Sequence, residues 1–154
     1  MKTRFLCSNH LAWLEKTPNL AMVTSLQCAD RAEALWEEGE GVQALTFAGS
    51  GFEAAQIVLK KYPGPVSERV SVYTGSCALL ANILYGVKQP AMARTIVATA
   101  IKDLESLLAF GEARREVLKG CQNLLSLGDG IAGPKEITDW RPMNANGAAP
   151  SLLH

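Results

Sequence analysis

Two stretches of this sequence, 49 positions apart, carry the same residue at several apolar positions. The first covers residues 28–44 and the second covers residues 77–93. The matching pairs are Cys28 with Cys77, Ala29 with Ala78, Ala32 with Ala81, Leu35 with Leu84 and Ala44 with Ala93, and the aromatic Trp36 pairs with Tyr85. An internal repeat of this length predicts stacked copies of one supersecondary unit, because a single unit cannot bury its apolar face alone.

Apolar residues recur at spacings of three and four through most of the chain, which is typical of amphipathic helices. No segment alternates apolar and polar residues as a strand does. We therefore expect an all-α fold. The predicted helices cover residues 9–16 with Ser8 as N-cap, 18–38 with Thr17 as N-cap, 42–61, 67–85, 90–109 and 111–127.

Glycines interrupt the third predicted helix at Gly49-Ser50-Gly51. Each glycine in a helix interior costs about 1 kcal/mol relative to alanine. We expect a continuous helix in which the glycines allow another helix backbone to cross closely. Two shorter helices with a break at this point are the alternative.

The overall charge balance limits the choice of partner. Fifteen basic residues offset fifteen acidic ones, and phosphate binding requires clustered basic residues, so we do not expect nucleic acid as the main partner. The N-terminal residues lack the apolar region of a signal peptide, and no apolar run is long enough to span a membrane. The four cysteines form no CxxC pair, and Cys28, Cys77 and Cys121 are interpreted as small reduced core residues, which favours a cytoplasmic protein.

The residues of the repeat resemble the tetratricopeptide repeat class. Small and large residues at fixed spacing, a following glycine and an early alanine in the next helix give the order Ala32, Trp36, Gly39, Ala44 and Ala48, which Ala81, Tyr85, Gly86, Ala93 and Val97 follow in the second copy. The resemblance covers residues 18–110, with a period of 49 in place of the class's 34. It implies antiparallel helical hairpins stacked as a right-handed array with a capping helix, and a concave face that binds a peptide or partner protein.

On this basis we expect a non-enzymatic protein–protein interaction module, such as an adaptor, a chaperone or a regulatory subunit. A partner segment would bind in a groove between the two hairpins. The candidate partner-binding residues are charged positions near the repeats and one aromatic residue near the C-terminus: Glu37, Glu40, Arg69, Lys88, Arg94 and Trp140.

Two other functions stay open. A DNA-binding regulator could use Arg114-Arg115 at the start of a recognition helix, although the neutral charge disfavours it. A small-ligand-binding bundle would need a convergent set of polar groups, which the sequence does not reveal. Cys7 and His10 have a spacing close to that of metal ligands, but a zinc site needs more ligands than this pair, so we expect no metal, no cofactor and no catalytic residues.

The character of the sequence changes after Leu127, where glycine and proline become frequent. We expect one helical domain over residues 1–127 and an extended or flexible tail over residues 128–154. Trp140 in this tail is an aromatic anchor that could dock on the protein's own groove or on a second subunit. A homodimer is therefore a further alternative, since two repeats are few for a self-sufficient stack.

Overall fold

The computed structural model describes residues 4–108 and 114–127. Its helices are α1 (Ser8–Lys16), α2 (Pro18–Glu37), α3 (Gly41–Lys61), α4 (Val66–Gly86), α5 (Pro90–Leu108) and α6 (Arg114–Ser126). No β-strand occurs among the described residues, so the all-α prediction is confirmed. The predicted tail over residues 128–154, with Trp140, lies outside the described residues.

The helix starts show where the prediction from sequence was right and where it was wrong. Thr17 and Pro18 are the N-cap and first residue of α2, as predicted. The prediction of Ser8 as the cap of α1 is wrong: Ser8 is already helical, and Cys7 is the N-cap. The Cys7 Sγ accepts a hydrogen bond from the backbone N–H of His10 at 3.4 Å. A thiol is therefore the N-cap acceptor here, where a serine hydroxyl is more usual.

Helix α3 is continuous through Gly49 and Gly51, as expected. A Cβ atom added at Gly51 would lie 3.0 Å from the Cβ of Cys28 and 3.3 Å from the backbone oxygen of Ser25. Both neighbours belong to α2, so the glycine allows α2 and α3 to approach each other closely. The predicted reason for keeping glycine in this helix is therefore confirmed at Gly51.

Two turns of the same form join α2 to α3 and α4 to α5. In the first, backbone N–H groups donate from Glu38 to Ala34, from Gly39 to Trp36 and from Glu40 to Leu35. In the second, the same bonds recur at the equivalent positions of the repeat, from Val87 to Ile83, from Lys88 to Tyr85 and from Gln89 to Leu84. Each set is a Schellman motif, which satisfies the free carbonyl groups at a helix C-terminus. The sequence repeat is thus also a repeat of backbone structure.

Each helix from α2 onward contacts the next one in the chain, and α4 also contacts α2 and α6. Helix α1 lies against α2 and α3. The buried apolar side chains of all six helices form one cluster. At its centre is α4, in which every residue from Val72 to Leu84 is buried. This helix is therefore covered on all sides, which explains why its sequence from Cys77 to Leu84 is apolar except for Asn82.

Candidate functional site

A groove of about 580 Å³ lies between the N-terminal segment with α1, the helix α3 and the helix α5. Its volume is within the range of about 300–1,000 Å³ that is usual for ligand-binding pockets. Each of the two long helices contributes residues spaced three or four apart, which lie on one helix face. From α3 these are Phe52, Glu53, Gln56, Ile57, Lys60 and Lys61, and from α5 they are Thr95, Ile96, Thr99 and Asp103.

A buried carboxylate closes one end of the groove. Glu53 in α3 is only 8% exposed, and it accepts hydrogen bonds from the backbone of the N-terminal segment. The Phe5 N–H donates to both carboxylate oxygens at 3.1 and 3.0 Å, and the Leu6 N–H donates to Oε1 at 2.6 Å. These donors lie just ahead of the N-terminus of α1, where the helix dipole also favours a negative charge. The charge of Glu53 is therefore compensated by main-chain groups.

The aromatic ring of Phe5 fills the space beside Gly49, one turn before Glu53. A Cβ atom at Gly49 would overlap the Phe5 ring. Phe5 and Leu6 are partly buried against the hydrophobic cluster. Gly49 and Glu53 together form a seat for an aromatic residue and its adjoining backbone, which at present holds the chain's own N-terminal segment.

A second polar group lies at the opposite wall of the groove. Asp103 in α5 accepts a hydrogen bond from the hydroxyl of Tyr73, and its Oδ2 is 3.4 Å from the Gln56 Nε2. Tyr73 is fully buried beneath the groove and stacks on Phe52, with ring centroids 5.4 Å apart. Burial, followed by the hydrogen bond and charge of Asp103, raises the pKa of Tyr73. The tyrosine therefore remains a protonated donor and links α4 to the α3 and α5 walls.

The rim of the groove carries both signs of charge. Arg4, Lys60 and Lys61 contribute positive charge, and Glu15 contributes a carboxylate. The Lys61 Nζ lies 3.9 Å from a Glu15 carboxylate oxygen, and both side chains are about half exposed, at 51% and 53%. An ion pair that is this exposed contributes little to stability. The groove therefore has a mixed lining, in which apolar side chains alternate with polar and charged ones.

Three cysteines have raised thiol pKa values. Burial raises the pKa of the Cys28 thiol to about 11 and also raises the pKa of Cys77. Burial, with a smaller effect of the Glu105 charge, raises the pKa of Cys121. Raised values keep a thiol protonated, and the thiolate is the nucleophile and metal ligand. Within the described ranges, no three His, Cys, Asp or Glu residues come together to hold a metal ion.

The charged residues singled out from the sequence lie outside the groove. Glu37 and Glu40 are exposed at the first turn, and Lys88 is exposed at the second. The two turns are adjacent, since a Cβ atom at Gly41 would lie 3.2 Å from a side-chain carbon of Val87. The structure therefore brings these three residues to one end of the molecule.

Arg94 and Arg69 lie within helices and not in the two turns. Arg94 is exposed near the start of α5. Arg69, near the start of α4, donates from its guanidinium to the backbone oxygens of Leu59 at 2.9 Å and Gly64 at 3.2 Å. The side chain thus joins the end of α3 to the following loop, a use of arginine that stabilises free helix-terminal carbonyls. The last candidate, Trp140, falls outside the described residues.

The groove residues were missed because no local pattern marks them. Glu53 sits among apolar residues of α3, and a lone carboxylate in an apolar helix face is the one signal that could have pointed to a buried acid with a partner. Its partners, Phe5 and Leu6, are almost fifty positions away in the chain. Their backbone N–H groups leave no trace in the sequence.

None of the helices in the described part of the chain has the length and apolar character needed to cross a membrane. Comparisons of the chain with protein families, with curated proteins and with solved structures each find no match. The groove is therefore interpreted from its own chemistry.

Proposed function

We propose that this protein is a non-enzymatic helical-repeat module that binds a segment of a partner protein in the groove between α3 and α5. The proposal rests on the end of the groove at Gly49 and Glu53, which Phe5 and Leu6 of the same chain occupy. There, a buried carboxylate binds backbone N–H groups and a glycine accommodates an aromatic ring. Such contacts recognise a polypeptide, because main-chain groups supply the affinity and a side-chain pocket supplies the specificity.

We also propose that the six helices form a tetratricopeptide-like right-handed array. The α2–α3 and α4–α5 pairs would be its two hairpins, and α6 would be the cap. The identical turns at equivalent positions of the two copies support it. So does the order of packing, in which each helix contacts its neighbour in the chain and α2, α4 and α6 contact one another in sequence. Contacts limited to neighbouring units are typical of repeat stacks.

The module would act in the cytoplasm as an adaptor, a chaperone or a regulatory subunit. Its four cysteines are free thiols, which supports a reducing compartment. The exposed residues Glu37, Glu40 and Lys88 at the two turns, with Arg94 close by in sequence, would provide a secondary charged contact for the partner.

Site-specific photocrosslinking in the native host tests the groove directly. A photoreactive amino acid at Thr99, which lines the groove, is expected to give one defined heteromolecular adduct. The matched control carries the same amino acid at Ala98, the exposed neighbour on α5 that does not line the groove. Ala98 is expected to give no such adduct.

Charge reversal then checks the specificity of the adduct. Lys60→Glu on the groove rim is expected to weaken the Thr99 crosslink, while Lys102→Glu, an exposed lysine of α5 outside the groove lining, leaves it unchanged. Identical adducts from Thr99 and Ala98, or none from either, would contradict the proposed function.

A small-ligand-binding protein is the second candidate. The specific observation in its favour is the convergence of Asp103, Tyr73 and Gln56 at a groove of ligand size. A ligand that binds only the native state must raise the melting temperature. A thermal-shift screen of metabolites with the wild type and with Asp103→Asn would support this candidate if a compound stabilised only the wild type.

A further inference from the structure

We infer that the Gly49–Glu53 seat on α3 is a recognition site for an aromatic-containing segment of the partner, and that the chain's own segment Arg4–Leu6 is its intramolecular competitor. The inference rests on the proposed function, since it names the chemistry of the bound segment. In this role the N-terminal segment would regulate partner binding, because it competes with the partner for the same contacts on α3.

The seat has the properties of a built binding site. Its carboxylate is buried, accepts three hydrogen bonds and receives all of them from main-chain N–H groups. Backbone donors are common to every residue except proline. Any segment with two successive free N–H groups can therefore replace Phe5 and Leu6 at Glu53. The side-chain requirement comes from Gly49, where the flat ring of Phe5 lies against the helix backbone.

The N-terminal segment Arg4–Leu6 is held by few contacts outside the Gly49–Glu53 seat. Helix α1, which follows the segment directly, buries only Leu14 among its nine residues. Helix α1 also leaves Trp13 54% exposed. Regions with few buried apolar side chains open locally at a lower free-energy cost than the core. The N-terminal segment can therefore leave the seat without unfolding α2 to α5.

Departure of the segment would uncover a continuous face of α3. Residues at spacings of three and four run along this face from the first turn to the groove: Val42, Thr46, Gly49, Glu53, Gln56 and Lys60. Val42 at its start is 79% exposed. Phe5 crosses the middle of the face, so it separates the exposed start of α3 from the groove. A partner segment that displaces Phe5 gains access to the whole face.

The partner's chemistry follows from the contacts. The segment carries an aromatic residue at the position of Phe5. Neither this residue nor the next is proline, because both must donate N–H groups to Glu53.

A synthetic peptide with the sequence of residues 1–17, labelled with a fluorophore, provides the probe. Its binding is measured by fluorescence anisotropy against the full-length wild type and the full-length Phe5→Ala variant. The variant weakens the internal competitor, and apparent affinity rises as the open fraction of the receptor rises. We expect saturable binding that is about tenfold tighter to Phe5→Ala than to the wild type.

Two controls keep the result specific. A peptide in which its phenylalanine is replaced by alanine is expected not to bind. The double variant Phe5→Ala/Gly49→Ala is expected not to bind the unaltered peptide, because the added Cβ atom occupies the position that the peptide's phenylalanine ring would take. Alanine at this helical position favours the helix by about 1 kcal/mol, and circular dichroism will show that the variant is folded.

Several outcomes would overturn the inference. These are no binding to Phe5→Ala, equal binding of the alanine-substituted peptide, or unchanged binding after Gly49→Ala. A concentration-dependent wild-type dimer in sedimentation, abolished by Phe5→Ala, would also overturn it, since the seat would then exchange segments between copies. The Thr99 crosslink involves neither Phe5 nor Glu53, so a crosslink without peptide binding removes this inference and leaves the proposed function standing.

Discussion

At the scale of single residues, a close contact between helices is made around Gly51. The hydroxyl of Ser25 in α2 donates to the backbone oxygen of Gly51 at 3.0 Å and lies 3.2 Å from the hydroxyl of Ser76 in α4. Ser25 is fully buried and Ser76 is 3% exposed. Buried hydroxyls need such partners, because an unsatisfied one costs about 1–3 kcal/mol. This polar contact therefore fixes how α2, α3 and α4 meet.

We predict that Gly51→Ala lowers the free energy of unfolding by about 1–3 kcal/mol, the usual cost of overpacking. The added carbon would meet the α2 backbone, which cannot move without disturbing Ser25. Urea denaturation measures the change. Gly49→Ala is the matched control and should lower the free energy of unfolding by less than Gly51→Ala does, because the nearest atoms belong to Phe5 of the N-terminal segment and not to a core helix, and alanine favours the helix by about 1 kcal/mol. Equal destabilisation by both would contradict the prediction.

A second residue-scale prediction concerns the partly buried thiol of Cys28. Its pKa in the folded protein is about 11, compared with an ordinary value of 9.0. A group whose folded pKa is raised stabilises the fold fully below its unfolded pKa, and this contribution is lost as the pH rises from 9.0 to about 11. The free energy of unfolding should therefore fall less steeply across this range in Cys28→Ala than in the wild type.

Urea titrations at a series of pH values measure the two slopes. Val42→Ala serves as the control, because it changes an exposed side chain that has no titratable group. Its slope should match that of the wild type. Equal slopes for Cys28→Ala and the wild type would show that the Cys28 thiol does not contribute.

At the scale of elements, the two hairpin turns share one backbone form and differ at its critical position. The residue after each helix end has a positive φ, 83° at Gly39 and 65° at Lys88. These two positions are equivalent in the two copies of the repeat. Glycine adopts this conformation without steric cost, whereas a residue with a Cβ atom is strained there. The second turn therefore keeps a lysine in a position that suits glycine.

Exchange of these residues gives a paired prediction. Lys88→Gly should raise the free energy of unfolding by about 1 kcal/mol, and Gly39→Lys should lower it by about 1 kcal/mol. Thermal denaturation of both variants measures the changes. If Lys88→Gly instead weakened the Thr99 crosslink while raising stability, the lysine would be kept for partner binding. No gain in stability from Lys88→Gly would contradict the strain argument.

At the scale of the whole molecule, burial is graded from the centre to the ends. Helix α4 is surrounded by α2, α3, α5 and α6, whereas α1 lies against one side of the α2–α3 hairpin. Amide hydrogen exchange reports such gradients, because exposed elements open locally and core elements exchange only on global unfolding.

We predict that amides in α4 exchange more slowly than those in α1 by a factor on the order of 100 or more. Hydrogen–deuterium exchange with mass spectrometry measures both helices in one sample. The Phe5→Ala variant should raise the exchange of α1 and leave α4 unchanged, since Phe5 holds only the N-terminal segment in its seat. Uniform exchange over all helices would contradict both the gradient and the release of the N-terminal segment.

The sequence predicted the helices well and did not indicate the groove. Helices are local, so apolar spacing, Pro18 and Pro90 indicated their positions to within a few residues. Cys7 was missed as a cap because a thiol is an uncommon N-cap acceptor. The charged residues Glu37, Glu40 and Lys88 were conspicuous in the sequence, but the groove lies elsewhere. Arg69 was equally conspicuous, and the structure uses it to hold the end of α3.

Residue types and their spacing were enough to establish the helical class, the internal repeat and the need for a small residue where α2 meets α3. Each of these depends on residue type and on spacing along one helix or between equivalent helices. The contact of Glu53 with the backbone ahead of α1 and the contact of Asp103 with Tyr73 depend on three-dimensional packing and could not be predicted from the sequence. Backbone N–H groups are the same for nearly all residues. Which carboxylate they reach is therefore decided by the packing of distant helices.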